Sequence, residues 1–200
     1  FSDLLGPVAA RLLAASGWRT PTRVVGTAII ASAAEGISRS PLGEILKNPA
    51  LEAARFAVRH APKTVHRTRG AAKSVIAPIL RAASYGDAKV SPSVVAFSEK
   101  MMHGTPIVTL VEFLHALEVH DEDAALQTLA KVPTLIACGS RDLITPVEHS
   151  EAMAARLPKC ELVVVEGAGH LVQLEQPEII DDALVRLVER ATPSKLVAMT

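Results

Sequence analysis

The sequence predicts an α/β protein in which a helical segment is inserted between two strands of a parallel sheet. Three short apolar, β-rich runs, at residues 23–31, 132–138 and 161–166, have the length and composition of buried strands. One helical pattern separates the second run from the third, and two buried strands joined by one helix are typical of a parallel βαβ unit. Residues 37–128 carry no strand pattern but an alanine-rich helical one that prolines interrupt.

The elements before and within the inserted segment have recognisable boundary residues. Residues 7–16 predict an amphipathic helix, with a proline in its first turn and a glycine after its last. Within the inserted segment, Ser91-Pro92 and Thr105-Pro106 each have the form of an N-cap followed by proline at the first helical position. We therefore expect two of the inserted helices to begin at these pairs.

The helices after the inserted segment flank the last two strands. Residues 122–130 predict a helix that Asp121 can cap, and residues 146–157 predict the crossover helix between the strands. Residues 178–190 predict the last helix, because their apolar residues recur at helical spacing. The inner face of that helix is predicted to consist of Ile179, Ile180, Ala183, Leu184, Leu187 and Val188.

The composition excludes some classes of function. The chain has 200 residues, of which 49% are hydrophobic, and its 21 basic and 21 acidic residues give a net charge of zero. A neutral chain with 3% aromatic residues lacks the basic surface and the stacking side chains of nucleic-acid-binding proteins. No run of about 18 apolar residues occurs, so we expect no transmembrane helix.

The two cysteines, Cys138 and Cys160, lie at the last two predicted strands. Two cysteines are too few for the disulfide framework of a small secreted protein, so both are predicted to be buried, reduced and apolar in character. A reducing compartment fits this usage, and the cytoplasm is the expected location.

A carboxylate and an imidazole follow the last two predicted strands at the same end of the sheet. The second strand stops at a turn that contains Asp142, and the third stops at Gly167-Ala168-Gly169-His170. Reacting groups collect at the carboxyl ends of parallel strands. A hydrogen bond between the two side chains would fix the tautomer of the imidazole, whose other nitrogen can then act as a base. Asp142 and His170 are therefore the candidate catalytic pair, although Asp142 could instead only cap its own turn.

Four motifs together resemble the C-terminal third of the α/β-hydrolase family. They are Val132-Pro133-Thr134-Leu135, Gly139-x-x-Asp142 with Thr145-Pro146, Gly167-Ala168-Gly169-His170, and Glu175-Gln176-Pro177-Glu178. The resemblance implies a partial α/β-hydrolase parallel sheet with an inserted all-helical cap. It also implies that Asp142 is the acid and His170 the base of a catalytic triad. The implied domains are a core helix and strand at 1–36, a helical cap at 37–130, a C-terminal core at 131–192 and a tail at 193–200.

The sequence motif of the family's nucleophile is missing. An α/β-hydrolase carries the nucleophile on a sharp strand-to-helix turn, typically Gly-x-Ser-x-Gly, before the acid and the base in chain order. Ser32 follows a strand but lacks the flanking glycines, and Ser140 stands too close to the acid. The resemblance therefore covers residues 7–192 but only the second half of the family's fold. We expect the nucleophile to lie outside this chain, which alone should be inactive.

The resemblance implies hydrolysis of carboxylic esters of small hydrophobic substrates by a nucleophile–His–Asp triad, without a metal or an organic cofactor. Two alternatives stay open. An aspartate nucleophile would give epoxide or haloalkane hydrolysis instead. A chain without a nucleophile would be an inactive hydrolase-like binding or assembly protein, such as a homo-oligomer that pairs across an exposed sheet edge.

The six other histidines are interpreted as structural, because none of them has the spacing of metal ligands. They are His60, His66, His103, His115, His120 and His149.

Overall fold

A computed structural model describes residues 24–37, 40, 43–44, 56, 60, 81, 83–86, 90–106, 109, 113, 116–117 and 119–192. The predicted first helix and the predicted tail lie outside these residues, as does most of the predicted all-helical cap.

The described part of the sheet has three parallel strands, which confirms the three predicted runs. They are β1 (Thr27–Ile30), β2 (Thr134–Gly139) and β3 (Cys160–Val165), in the spatial order β1-β2-β3. The register pairs Gly139 with Val165, so β2 and β3 end side by side. The loops that follow these two strands therefore leave the sheet next to each other.

Five α-helices and one 3₁₀ helix accompany the strands in the part of the chain that is described. They are α1 (Pro92–Gly104), the 3₁₀ helix Asp123–Ala125, α2 (Leu126–Leu129), α3 (Val147–Arg156), α4 (Val172–Glu175) and α5 (Pro177–Ala191). No helix among these residues has an apolar stretch long enough to cross a lipid bilayer.

Helix α1 begins at the predicted N-cap Ser91. Thr105, which was predicted as the N-cap of another helix, is the C-cap of α1. Ser91 is the N-cap, its hydroxyl accepts a hydrogen bond from the backbone N–H of Ser93, and Pro92 occupies the first turn. Thr105 closes α1, since its backbone N–H donates to the Met102 carbonyl. The helix predicted to begin at Thr105 falls largely outside the described residues.

The predicted helix at residues 122–130 is divided into the 3₁₀ helix and α2. The Asp121 carboxylate accepts a hydrogen bond of 3.4 Å from the backbone N–H of Asp123, although Glu122 is the residue that precedes the 3₁₀ helix. Asp121, the predicted cap, therefore lies one residue before the observed N-cap, Glu122.

Side chains of β2 alternate between the two faces of the sheet, and helices cover both faces. Ile136 packs with Met153 and Leu157 at α3 on one face. Leu135 packs with Ala183 and Leu187 of α5 on the other. All six residues of β2 are buried for this reason, which explains its continuous apolar sequence.

The inner face of α5 is narrower than the sequence predicts. Ile180, Ala183 and Leu187 are buried, but Ile179 is 42% exposed and Val188 is 62% exposed. At 3.6 residues per turn, both exposed residues lie about a quarter turn from the centre of the buried stripe. The prediction that they belong to the inner face is therefore wrong.

Candidate active site

Asp142 occupies a tight turn directly after β2, and its two carboxylate oxygens have different partners. Oδ1 accepts hydrogen bonds from the backbone N–H groups of Ile144 and Thr145, both at 2.8 Å. Oδ2 accepts from the Thr145 hydroxyl at 2.9 Å and lies 2.9 Å from Nδ1 of His170. The turn therefore fixes the carboxylate through one oxygen and presents the other to the imidazole. Capping its own turn and contacting His170 are compatible roles for Asp142.

His170 stands on the loop after β3, where the chain turns at Gly167. Gly167 has a φ of +75°, in the left-handed region that side chains other than glycine rarely adopt. The imidazole is buried, with 10% of its side chain exposed, and the Asp142 side chain is fully buried. An ionised carboxylate can only accept hydrogen bonds, so the contact fits an imidazole that is protonated at Nδ1; in the neutral form of that tautomer, Nε2 has a free lone pair. This tautomer is the one that a general base requires.

The Thr145 hydroxyl is a third member of the site. It donates to Asp142 Oδ2 and lies 3.4 Å from His170 Nδ1, and the residue is 4% exposed. Thr145 belongs to one of the four motifs, but no role was predicted for it from the sequence. A threonine three residues after the acid is the signal that could have identified it, because a short turn brings that hydroxyl back to the carboxylate.

Hydrogen bonds hold the Asp142 and His170 loops together. The N–H of Arg141 donates to the Ala168 carbonyl at 2.9 Å, and the N–H of Gly167 donates to the Ser140 hydroxyl at 2.9 Å. A Cβ on Gly139 would lie only 2.5 Å from the Ala168 backbone carbon. A glycine at the end of β2 therefore lets the loops approach, and the Ser140 hydroxyl is engaged in the loop contact.

Three further hydrogen bonds near His170 were not predicted from the sequence. The Glu175 carboxylate accepts the backbone N–H of Gly169 at 2.8 Å and that of Gly86 at 3.0 Å. The backbone N–H of Leu171 donates to the Ser84 carbonyl at 2.9 Å. Residues from the segment between β1 and β2 thus lie against the loop that carries His170.

The other described histidines occupy positions away from this pair. Nδ1 of His60 lies 2.9 Å from the Phe56 carbonyl, and the two rings stack. Nε2 of His120 lies 3.0 Å from the Ala33 carbonyl. His149 belongs to α3. Among the described residues, no group of three or more His, Cys, Asp or Glu side chains is arranged to hold a metal ion.

Cys138 has the buried environment that the sequence predicts for both cysteines, whereas the prediction is wrong for Cys160, which lies at the start of β3 and is only partly covered. Cys138 is fully buried and Cys160 half-buried, and neither forms a disulfide. Burial raises the pKa of both thiols above the ordinary value, because a thiolate is poorly solvated there. Neither thiol has the lowered pKa of a catalytic cysteine.

A sequence profile of the family described as alpha/beta hydrolase fold matches residues 36–177, which is more than half of the chain. The chain belongs to the α/β-hydrolase fold family. The match confirms the fold class predicted from the sequence and includes both Asp142 and His170.

Individual relatives of the chain carry hydrolase names. The pimeloyl-acyl-carrier-protein methyl ester esterase of Xanthomonas campestris pv. campestris is 37% identical over 79 residues, which cover 40% of this chain and 31% of that protein. A thermophilic esterase from Thermogutta terrifontis has a similar structure, with a TM-score of 0.65 at 22% identity over 94% of this chain and 62% of its own.

A hydrolase from Pseudomonas aeruginosa PA01 is also similar, with a TM-score of 0.64 at 23% identity over 92% of this chain and 62% of its own. At these identities the structural likeness concerns the fold alone. The chain spans less than two thirds of the length of each of these relatives.

Proposed function

We propose that Asp142 and His170 are the acid and the base of an esterase triad. The observation that carries the proposal is the 2.9 Å contact between Asp142 Oδ2 and His170 Nδ1 in a site where both side chains are buried. Because the carboxylate is anchored by its own turn, it orients the imidazole and stabilises the imidazolium that forms during the reaction.

The proposed reaction proceeds in two halves. His170 Nε2 takes the proton of a serine hydroxyl as its oxygen attacks the ester carbonyl, and the carbonyl π electrons move onto the oxyanion. When the oxyanion collapses, the bond to the alcohol oxygen breaks and His170 returns the proton to the departing alcohol. Water then repeats the same steps on the acyl-enzyme and releases the carboxylic acid.

The proposed substrate class is a carboxylic ester of a small hydrophobic molecule. It is supported by family membership and by a relative whose name is a methyl ester esterase. In this proposal residues 37–130 form a helical cap over the site, the reaction needs no metal or organic cofactor, and the protein acts in the cytoplasm. That the protein forms a homo-oligomer is likewise a proposal.

The nucleophile of the proposed triad precedes β1 in the chain. In the order of the family, the nucleophile, acid and base follow one another, and a helix and a strand come between the nucleophile and the inserted cap. Here the predicted helix at 7–16 and β1 take those places, so the proposed nucleophile lies on the N-terminal side of that helix. Because the Gly-x-Ser-x-Gly motif is missing from these 200 residues, we expect it to lie outside them; Ser2 is the one serine that precedes residue 7 in the sequence.

Hydrolysis of p-nitrophenyl esters of increasing acyl length tests the proposed function. A protein that also carries the nucleophile should hydrolyse short and medium acyl esters, whereas these 200 residues alone should not. In that protein His170→Ala should lower kcat by about 10²- to 10⁴-fold, the usual contribution of a general base. His120→Ala is the matched control, since His120 contacts a backbone carbonyl rather than a carboxylate. Turnover that survives His170→Ala would overturn the proposal.

The same assay separates the alternatives. Turnover of an epoxide or a haloalkane with no ester hydrolysis would favour an aspartate nucleophile. A folded protein that turns over none of these substrates would favour a binding or assembly role.

A further inference from the structure

The Glu175 carboxylate joins two stretches of backbone that are distant in sequence. Glu175 is the last residue of α4 and is half-buried. Oε1 accepts the N–H of Gly169, the residue directly before His170, at 2.8 Å. Oε2 accepts the N–H of Gly86, 89 positions earlier in the chain, at 3.0 Å. One side chain therefore links the His170 loop to the segment inserted between β1 and β2.

The two linked stretches are in direct backbone contact. A Cβ on Gly169 would lie 2.5 Å from the Gly86 nitrogen and 2.5 Å from the Tyr85 carbonyl carbon, so Gly169 cannot carry a larger residue without a shift. On the other side of His170, the N–H of Leu171 donates to the Ser84 carbonyl at 2.9 Å. Residues 84–86 thus contact the backbone of the residue before His170 and of the residue after it.

The same stretch is tied to a helix of the inserted segment. The Tyr85 hydroxyl lies 2.5 Å from the Ser98 hydroxyl, and Ser98 belongs to α1. A continuous path of hydrogen bonds and backbone contacts therefore runs from α1 through Tyr85 and Gly86 to Glu175 and the backbone beside His170.

We propose that Glu175 is a positioning residue that couples the inserted segment to the orientation of His170. The two N–H groups need two acceptors on one side chain, and a carboxylate supplies both as charge-assisted hydrogen bonds. A glutamine in the same place would offer one oxygen and turn an NH₂ group toward the other N–H. The His170 loop and residues 84–86 would then separate, and Nδ1 would leave the Asp142 carboxylate.

This inference rests on the proposed role of His170, so its test includes a readout that needs no turnover. The Nδ1 proton of His170 gives a low-field proton resonance while it is held on Asp142, and its loss in Asp142→Asn assigns it. In Glu175→Gln of the intact protein, this resonance should broaden and exchange with water faster. On a p-nitrophenyl ester, kcat should fall about 10- to 100-fold, as expected for a misplaced catalytic group, while KM changes less than about twofold.

Glu178→Gln is the matched control, because Glu178 is exposed and stands three positions further along the chain. It should leave both the resonance and kcat unchanged. A folded Glu175→Gln variant with wild-type resonance and kcat would overturn the proposal. So would a kcat that falls only in proportion to the unfolded fraction in a thermal melt.

Tyr85→Phe serves as the second variant should Glu175→Gln not fold. It removes one hydroxyl at the far end of the same path and should also broaden the His170 resonance. An unchanged resonance would overturn the coupling. A wild-type protein that shows the resonance but hydrolyses no ester would contradict the proposed function and leave the Glu175 comparison to be decided on the resonance alone.

Discussion

At the scale of single residues, the site depends on how the two oxygens of Asp142 are divided. Oδ1 is occupied by two backbone N–H groups, which leaves Oδ2 for Thr145 and His170. An oxygen fixed in this way cannot follow a moving imidazole, so the carboxylate selects one orientation of the ring.

Asp142→Asn should abolish most of the activity without unfolding the protein. The amide keeps an oxygen for the backbone N–H groups but turns an NH₂ toward His170 Nδ1, which must then give up its proton and leave Nε2 protonated. We expect kcat for a p-nitrophenyl ester to fall on the order of 10⁴-fold. The thermal midpoint should fall modestly, because the hydrogen bonds that Asp142 accepts lose the charge of the carboxylate. Asp121→Asn, on an exposed aspartate, is the control, and a loss below tenfold in Asp142→Asn would argue against the acid role.

Thr145→Val should cost stability as well as activity. The valine keeps the shape of the side chain but removes the hydroxyl that donates to Asp142 Oδ2. Since a hydrogen bond to a charged group contributes about 1.5–3 kcal/mol, the free energy of unfolding should fall by about that amount in a urea titration. Thr145→Ser retains the hydroxyl and should recover most of the loss. Equal losses in both variants would mean that packing of the methyl group, rather than the hydrogen bond, accounts for the effect.

Sequence reasoning reached Asp142 and His170 because both follow predicted strands, and the ends of neighbouring parallel strands are adjacent whatever the details of packing. The hydrogen bond predicted between them is present, while their catalytic roles stay a prediction. Glu175 could not be found in this way. Its partner Gly86 is 89 positions away, and nothing in the local pattern of either residue indicates that they meet.

At the scale of elements, β2 is the centre of the described core. Both of its faces are covered by helices, and Ile136 is completely buried between β1 and α3. The sequence predicted β2 well because a strand covered on both faces is apolar at every position. It predicted α5 less well, since helical spacing identifies a broad apolar band but not which of its edges the sheet covers. Ile179 and Val188 lie on those edges.

Ile136→Ala should destabilise the protein by about 2–5 kcal/mol, the usual cost of truncating a fully buried aliphatic side chain to alanine. Val185→Ala is the matched control, because Val185 is 57% exposed on α5 and its truncation should change the free energy of unfolding by less than about 0.5 kcal/mol. Chemical denaturation followed by circular dichroism measures both. Similar effects in the two variants would contradict the assignment of Ile136 to the core.

At the scale of the whole molecule, the chain belongs to the α/β-hydrolase fold family. Its described strands are parallel and end beside the Asp142 and His170 loops, and it spans 62% of the length of the two solved hydrolases it resembles. The fold class was predictable because the strands and helices can each be recognised from a short stretch of sequence, by their hydrophobic runs and by the turn residues that bound them. The nucleophile was not predictable, since the family motif that would mark it does not occur in these 200 residues.

Covalent labelling with a fluorophosphonate, followed by peptide mapping, tests the central claim most directly. The account predicts one labelled serine on the N-terminal side of β1. It also predicts that His170→Ala slows labelling by at least about 10²-fold, because the serine loses its base. Label on Ser2 would correct our expectation that the nucleophile lies outside the chain and leave the Asp142–His170 pair intact. Labelling at an unchanged rate in His170→Ala, or on a serine within residues 24–192, would contradict the account.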